Sequence, residues 1–589
     1  MSKVHLALAV FLVLFSTSGF SAEKRIAITF DDAPRASSLA MSGEQRTQLL
    51  IKALAKANVT GAMFFATTSH LEAEGESGHK RLENYVEAGH VLGNHSHAHQ
   101  SANRLSADEF LADIRRADET LSKFEGYHPL MRFPYLHEGD TREKRDVIRQ
   151  GLQQQGLRQG YVTIDNYDWY LQALLDESLA GNRKFDVDAW RNIYVDVLMA
   201  AIQKYDEIAM RALGRSPAHV LLLHENDLAA LFVDDLVAAL NAEGWEVIST
   251  LEAYEDPLFE QLPDTLFLGQ GRVAAIAEAQ GMPRVNLRHY MEDEAVLRSI
   301  AVSAGITDIA EGAYLGEATP GMQPQLFAPD KISKSDRFEY ATSFSADGRE
   351  MYFGVARENH RGEILATRYE QGAWTDPEVV LTDAEHSFAD PFLSKDGTRL
   401  YFISTTPADE KVENKNFDLW YARRTWQGWS DPINLGAAIN ASSDDYYVSF
   451  TNEGMLAFAS DRDATARGDF NIYLSEPEAQ GFGTPYRLPG QANTGAYEAD
   501  PFIAPDGSYI LFSSARRSGQ GKRDIYASFK TDDGTWSRAV PLGNGVNTPE
   551  LEFCPSVTRD GRFLFYTSNE DIYWVDAAVI ELAKGQLDE

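Results

Sequence analysis

From about Gln325 to Asp576 the chain repeats itself, and no other feature limits its fold as strictly. Five times an apolar run reaches an acidic-Gly pair and continues into an aromatic-rich strand. The copies are SFSADGREMYF from Ser343, PFLSKDGTRLYF from Pro391, SFTNEGMLAFA from Ser449, PFIAPDGSYILF from Pro501 and PSVTRDGRFLFY from Pro555. Gly348, Gly397, Gly454, Gly507 and Gly561 lie 49 to 57 residues apart, each where a tight hairpin turn calls for a positive φ. A second strand follows in every copy: EILAT from Glu363, DLWYA from Asp418, NIYLS from Asn471, DIYAS from Asp524 and DIYWV from Asp571. In four copies an aromatic then precedes a proline, as with Trp374 and Pro377, Trp429 and Pro432, Phe482 and Pro485, and Trp536 and Pro541. A repeat of about 50 residues with about four strands cannot bury its sheet alone, and stacking such sheets as propeller blades solves that problem. The expectation is an all-β propeller of about five blades over residues 321–589. Its recurrent Asp-Gly, Tyr and Trp residues serve turns and packing, so any function lies in what differs between blades.

The preceding half has another rhythm, with short apolar runs alternating with helical stretches. Strands are predicted at Arg25–Phe30, Gly61–Ala66, His90–Asn94, Pro129–Phe133, Gly160–Ile164, His219–Leu223 and Trp245–Ile248. Helices are predicted at Gly43–Ala57, Ser106–Glu125, Thr141–Gln155, Val187–Leu213 and Leu228–Glu243. That alternation implies a distorted (β/α) barrel over residues 23–255, making the chain multi-domain. Residues 256–320 carry helix-like pieces but no motif, and read as a connecting segment.

Met1 to Ala22 has the parts of a signal peptide: Lys3 and His5, an apolar run from Leu6 to Phe15, then small residues through Ala22. The mature protein is therefore expected to be exported, periplasmic or extracellular, with no membrane span. Cys554 is the single cysteine, which excludes an intramolecular disulfide. With 88 acidic against 54 basic residues the formal charge is −34, which argues against nucleic acid or anionic membrane as a broad partner and tolerates a neutral or cationic glycan.

The chemistry-bearing residues follow the predicted barrel strands, where such folds place their catalytic groups. The first strand ends in Asp31-Asp32-Ala33-Pro34; alone, an acidic pair there is more often a cap or turn. The run Asn94-His95-Ser96-His97-Ala98-His99 gives it companions. His95 and His99, four apart, can face one divalent ion that Asp32 completes as a His2Asp set, with His97 the bystander. Further pieces are Arg132-Phe133-Pro134-Tyr135, Asp165-Asn166-Tyr167-Asp168-Trp169 and Leu221-Leu222-Leu223-His224.

TFDDAP, HSHAH, RFPY, DNYDW and LLLH, in this order, resemble the five motifs of the NodB-homology polysaccharide deacetylases, carbohydrate esterase family 4. The repeats resemble PD40/WD40-like blades, found also in TolB-like proteins. The first resemblance implies metal-dependent removal of acetyl groups from an N-acetylated glycan, chitin-like or peptidoglycan-like. Asp32, His95 and His99 would hold a divalent ion, usually Zn2+, and Asp31 would act as base and His224 as acid. Arg132 would orient Asp31, Asp168 would pair with His224, and the backbone N–H of Tyr135 would face the oxyanion. Trp169 and Leu222 are pocket walls or core. The sequence departs from the family at Ala33, where glycine is usual, and at Glu225-Asn226 after His224, which bears on substrate choice. The same residues would serve an O-acetyl xylan-type esterase or a small-amide hydrolase. A non-catalytic binding protein is the remaining alternative, against which the full set of acting residues speaks. The propeller would target the enzyme to a surface or partner.

Overall fold

The computed structural model describes residues 24–587 except 310–311, 358–360, 409–415, 427, 465–467, 479–480, 518 and 544. The expected signal peptide lies outside the described residues. Two compact units emerge: the first runs through Ala36 and includes Ser42–Asp165 and Leu198–Met282, and the second contains Ser37–Met41, Asn166–Val197 and the chain from Pro283 on. The segment read as a connection thus divides, through Met282 with the first unit and from Pro283 with the second.

The first unit is built on a parallel sheet of β1 (Lys24–Ala33), β2 (Met63–Ala66), β3 (Val91–Asn94), β4 (Tyr127–Met131), β5 (Arg158–Gln159), β6 (Ala218–His224) and β7 (Trp245–Val247). The order is β5-β4-β3-β2-β1-β6, with β7 beside the start of β1. Sheets of this kind are covered on both faces, which is why Ile26 to Phe30 and Val220 to Leu223 are buried without a break. Because all strands run the same way, the residues that close β1, β3, β4 and β6 emerge at one end; Asp31 stands in register with His224, and Asn94 with Met131.

Two expectations need correction. Gly160–Ile164 is not a strand: β5 stops at Gln159, and only a bridge between Ile164 and Leu221 remains. The Thr163 hydroxyl accepts from the Val220 N–H at 2.8 Å, so a side chain takes the place of a ladder carbonyl. The helix Thr68–Glu87 was not anticipated, because Gly75 sits inside it at φ 57° and breaks the apolar period. Asp168–Ala180 is likewise helical.

The second unit contains the five-bladed propeller. Its innermost strands are Phe338–Phe344, Phe388–Leu393, Asp445–Phe450, Glu498–Ile503 and Glu552–Val557, each opening an antiparallel sheet. All five turn glycines have φ between 68° and 89°. The ring closes with residues from its start: Gln325–Leu326 pairs with Asp571–Asp576 as the outermost strand of the last blade. Seven positions before each turn glycine stand Ala341, Asp390, Tyr447, Asp500 and Cys554, all left-handed at φ 46° to 55°. Ala341, Tyr447 and Cys554 share one buried cluster, and the Cys554 Sγ lies 3.7 Å from Asp390 Oδ1, so these positions converge from different blades.

Candidate active site

Asp31 and Asp32 both come near His95 Nε2, at 3.8 Å and 3.7 Å, but have different further partners. Arg132 Nη1 donates to Asp31 Oδ1 at 2.8 Å, and both side chains are buried. Arg132 also spends Nη2 on Thr29 Oγ1 at 3.2 Å and on Tyr254 Oη at 3.4 Å, while its guanidinium lies 4.1 Å from the Phe65 ring centre. Burial raises the Asp31 pKa, against the pull of Arg132 and His224. A carboxylate held in this way is a stronger base than one in water.

Asp32, in left-handed backbone at φ 70°, faces the histidines. Its Oδ1 is 3.2 Å from His99 Nε2 and 3.7 Å from His95 Nε2, and one donor atom from each of these three residues lies within 4.8 Å of the others. Burial would raise the Asp32 pKa, but His99, His224 and His95 together hold it well below the usual carboxylate range. The same burial pushes His95 and His99 down to about 4, so both rings are neutral, the form that ligates. His95 Nδ1 donates to the Arg132 carbonyl at 2.9 Å, leaving the Nε2 lone pair turned toward Asp32. Asp32 Oδ1 is buried without a hydrogen-bond donor. An orphaned carboxylate oxygen among two neutral imidazoles fits a divalent cation.

Loops prepare this arrangement. The Ser96 hydroxyl accepts from the His99 N–H at 3.0 Å, and Asn94 Oδ1 accepts from the Ser96 N–H at 2.8 Å, tightening the turn that brings His99 back to His95. His97 points elsewhere, with Nδ1 2.9 Å from Thr68 Oγ1 and its N–H on Asp113. Tyr135 follows Pro134 in left-handed backbone, φ 58°, with its ring exposed and 4.9 Å from that of His99. Non-glycine residues at φ near 60° are costly, and Asp32, Ser96, His99 and Tyr135 gather four of them here.

His224 ends β6 and acts electrostatically on Asp31, Asp32, His95 and His99. Leu222 is buried two residues before it, on the same face of the strand. Asp168 and Trp169 belong to the second unit. Asp168 is buried at the start of its helix, its N–H donating to Asn166 Oδ1 at 3.0 Å, and Trp169 is partly exposed with its ring 5.2 Å from that of Tyr167.

Three supports were not visible in the sequence. His70 Nδ1 donates to the Asp32 carbonyl at 3.1 Å, and Tyr254 couples Arg132 to the Tyr161 carbonyl. Glu225, noted only as a departure, is fully buried and accepts from Arg81 Nη2 at 2.8 Å, Tyr85 Oη at 2.8 Å and the Arg35 N–H at 2.6 Å. It ties the loop after β1 to the end of β6. Its adjacency to His224 was the one available signal.

Residues 19–159 match the polysaccharide deacetylase family, a stretch that holds Asp31, Asp32, His95, His99, Arg132 and Tyr135. The peptidoglycan-N-acetylglucosamine deacetylase of Bacillus cereus is 27% identical over 122 residues, which is 20% of this chain and 40% of that protein. The chitin deacetylase of Colletotrichum lindemuthianum is 27% identical over 112 residues, 19% of this chain and 42% of that protein. The chain thus spans about two fifths of the length of these curated relatives. Among solved structures, a family 4 carbohydrate esterase from Streptomyces lividans in complex with acetate is 20% identical with a TM-score of 0.27, covering 40% of this chain and 97% of that one. On the match across residues 19–159, the N-terminal side of this chain is a polysaccharide deacetylase domain.

Proposed function

We propose that the first unit removes acetyl groups from an N-acetylated glycan, peptidoglycan-like or chitin-like, in a metal-dependent hydrolysis. The observation that carries this reading is the pairing of an orphaned Asp32, facing neutral His95 and His99, with an Asp31 that is held separately by Arg132. Asp32, His95 and His99 would hold a divalent ion, with zinc the first candidate, and that ion supplies Lewis acidity to the acetyl carbonyl.

The remaining steps fall to this chain's own groups. Asp31 takes a proton from the attacking water as the new C–O bond forms, with Arg132 fixing the carboxylate's aim. The backbone N–H of Tyr135 faces the developing oxyanion. His224 gives its proton to the sugar nitrogen as the C–N bond breaks, releasing acetate and the free amine. Leu222, buried on the face of β6 that leads to His224, bounds the space for the methyl group. The signal-peptide pattern of residues 1–22 supports an exported protein, with this chemistry outside the inner membrane.

Metal analysis together with acetate release from chitin and peptidoglycan oligomers tests the reading. His95→Ala/His99→Ala should lose both metal and activity. Asp31→Asn should keep its metal and lose activity by roughly 10²- to 10⁴-fold, the usual worth of a positioned base. A double histidine variant that stays fully loaded, or an Asp31→Asn that keeps its rate, overturns the assignment.

A further inference from the structure

Because the repeated residues build the blades, a ligand site in the propeller must come from positions the blades do not share. The residue two before each turn glycine is such a position, occupied by Ala346, Lys395, Asn452, Pro505 and Arg559. All five line one cavity of about 580 Å3 at the mouth of the ring, with residues 302–309 along one side. It runs into a second cavity of about 420 Å3 that shares Lys395, Asn452 and Arg559 and is walled by Phe392, Tyr401 and Phe450. Those rings meet at an angle, with centroids 5.7 Å and planes 53° apart for Phe392 and Phe450 and 4.6 Å and 45° for Tyr401 and Phe450, and Phe450 is the most exposed of the three. Each volume is of the size that takes a small ligand.

The charges here are not balanced as they are elsewhere. Arg183 is bound by Asp308, and Arg562 reaches Asp560 at 4.0 Å. Arg559 donates Nη2 to the Leu393 carbonyl at 3.0 Å and lies 5.3 Å from the Phe392 ring centre, but among the described residues it has no carboxylate within bridging distance. Burial pushes its pKa down to about 10 while Asp396 pulls it up, so it remains a half-buried cation at neutral pH with an acid nearby but no ion pair. Lys395 is exposed, and among the described residues it forms neither an ion pair nor a hydrogen bond. Two cations without a bridging carboxylate, in a chain of formal charge −34, line the same cavity as these rings, with Asp396 the nearest acid. A guanidinium fork suits a carboxylate, and flat aromatic faces suit the C–H face of a pyranose ring.

We propose that the mouth of the propeller binds a sugar acid, with Arg559 and Lys395 on its carboxylate and the Phe392, Tyr401 and Phe450 wall against its ring. The site is independent of the deacetylase centre and of the reading given to it. NMR titration of the full chain with D-glucuronate, D-glucose, acetate and inorganic phosphate tests it. D-glucuronate should bind about tenfold or more tighter than D-glucose, the worth of one charge-assisted hydrogen bond, and tighter than acetate or phosphate through the contact of its ring with the aromatic wall. Lys395→Gln and Arg559→Gln should each remove about that advantage, with acetate release from neutral oligomers unchanged. Lys395 is exposed, so its variant reads binding without risk to folding. Glucose binding as tightly as glucuronate, or glucuronate binding equally to both variants, overturns the role of the cations. Acetate or phosphate binding as tightly as glucuronate overturns sugar recognition in favour of a bare anion site.

Discussion

The sheet end of the first unit and the axis of the propeller bury carboxylates in opposite ways. In the first, each buried acid of the sheet end meets a cation: Asp31 has Arg132, Asp227 has Arg46 Nε at 2.7 Å, and Glu225 has Arg81. On the propeller axis, Asp390 and Asp500 are buried with no cation within bridging distance among the described residues; Asp390 faces the Cys554 thiol, and Asp500 Oδ2 has no partner at all. A nearby cation favours the ionised form, whereas burial without one pushes a carboxyl toward the neutral form, up to about 8 for Asp390 and about 6 for Asp500. The sheet end therefore depends on specific ions, whereas the propeller keeps its ion pairs, such as Arg462 with Asp445 at 2.8 Å, off its axis and closes its ring with apolar packing.

Breaking that closure should have the largest effect. Phe327 and Ile332, just after the closing strand, are fully buried, and the Phe327 ring meets Phe565 at 5.0 Å and Trp574 at 5.2 Å. Its N–H donates to the Ile572 carbonyl at 2.8 Å. Phe327→Ala/Ile332→Ala should cost about 5–8 kcal/mol from the two cavities, comparable to the whole stability of a domain. Urea unfolding of the full chain should then lose one cooperative transition. A shift under about 2 kcal/mol would show that the ring does not depend on this seam.

Next in size is the ion network of the first unit. Glu225→Gln removes a charge that Arg81 needs in a site closed to water, and both side chains are about 1% exposed or less. Losing one partner of a buried pair typically costs 3–5 kcal/mol. Denaturant unfolding followed at that unit's transition checks this, and a cost below about 1 kcal/mol would place the network with surface pairs instead.

Much of this was legible in the sequence, for different reasons in the two halves. The blades were readable because Asp-Gly turns and aromatic strands recur at fixed offsets, and each turn glycine has the positive φ its position implied. Convergence of Asp390, Asp500 and Cys554 was not, since a lone position gains meaning only when five blades are superposed on one axis. In the barrel, Asp32, His95 and His99 announced themselves by residue type and spacing, and the structure brings them together. His70, Tyr254 and Glu225 were silent because they act through backbone carbonyls or other side chains far along the chain. Asp168 and Trp169 keep their place beside a helix start, in a stretch whose helix the periodicity concealed.

Smallest per unit of the variable changed, and the sharpest test of the contrast, is the pH dependence of the axis. Burial pushes Asp390 up to about 8, with the charge of Asp500 adding to the shift, and burial raises Asp500 to about 6 despite Arg523. Tyr340, Tyr447 and Cys554 face the same space and offer no positive charge. An aspartate in an unfolded chain titrates near 3.9, so between about pH 4 and 8 the folded propeller binds more protons than the unfolded chain. Its stability is therefore fully present below about pH 4, falls as the pH rises, and levels off above about 8. The slope should be on the order of 1 kcal/mol per pH unit. Asp390→Asn, neutral at every pH, should remove the fall between about pH 6 and 8 and leave only the part owed to Asp500. At pH 8 it should unfold at higher denaturant than the natural chain, whereas below about pH 4 the two should nearly coincide. Parallel profiles for the two proteins would mean that a cation answers Asp390 after all, and that the axis resembles the barrel.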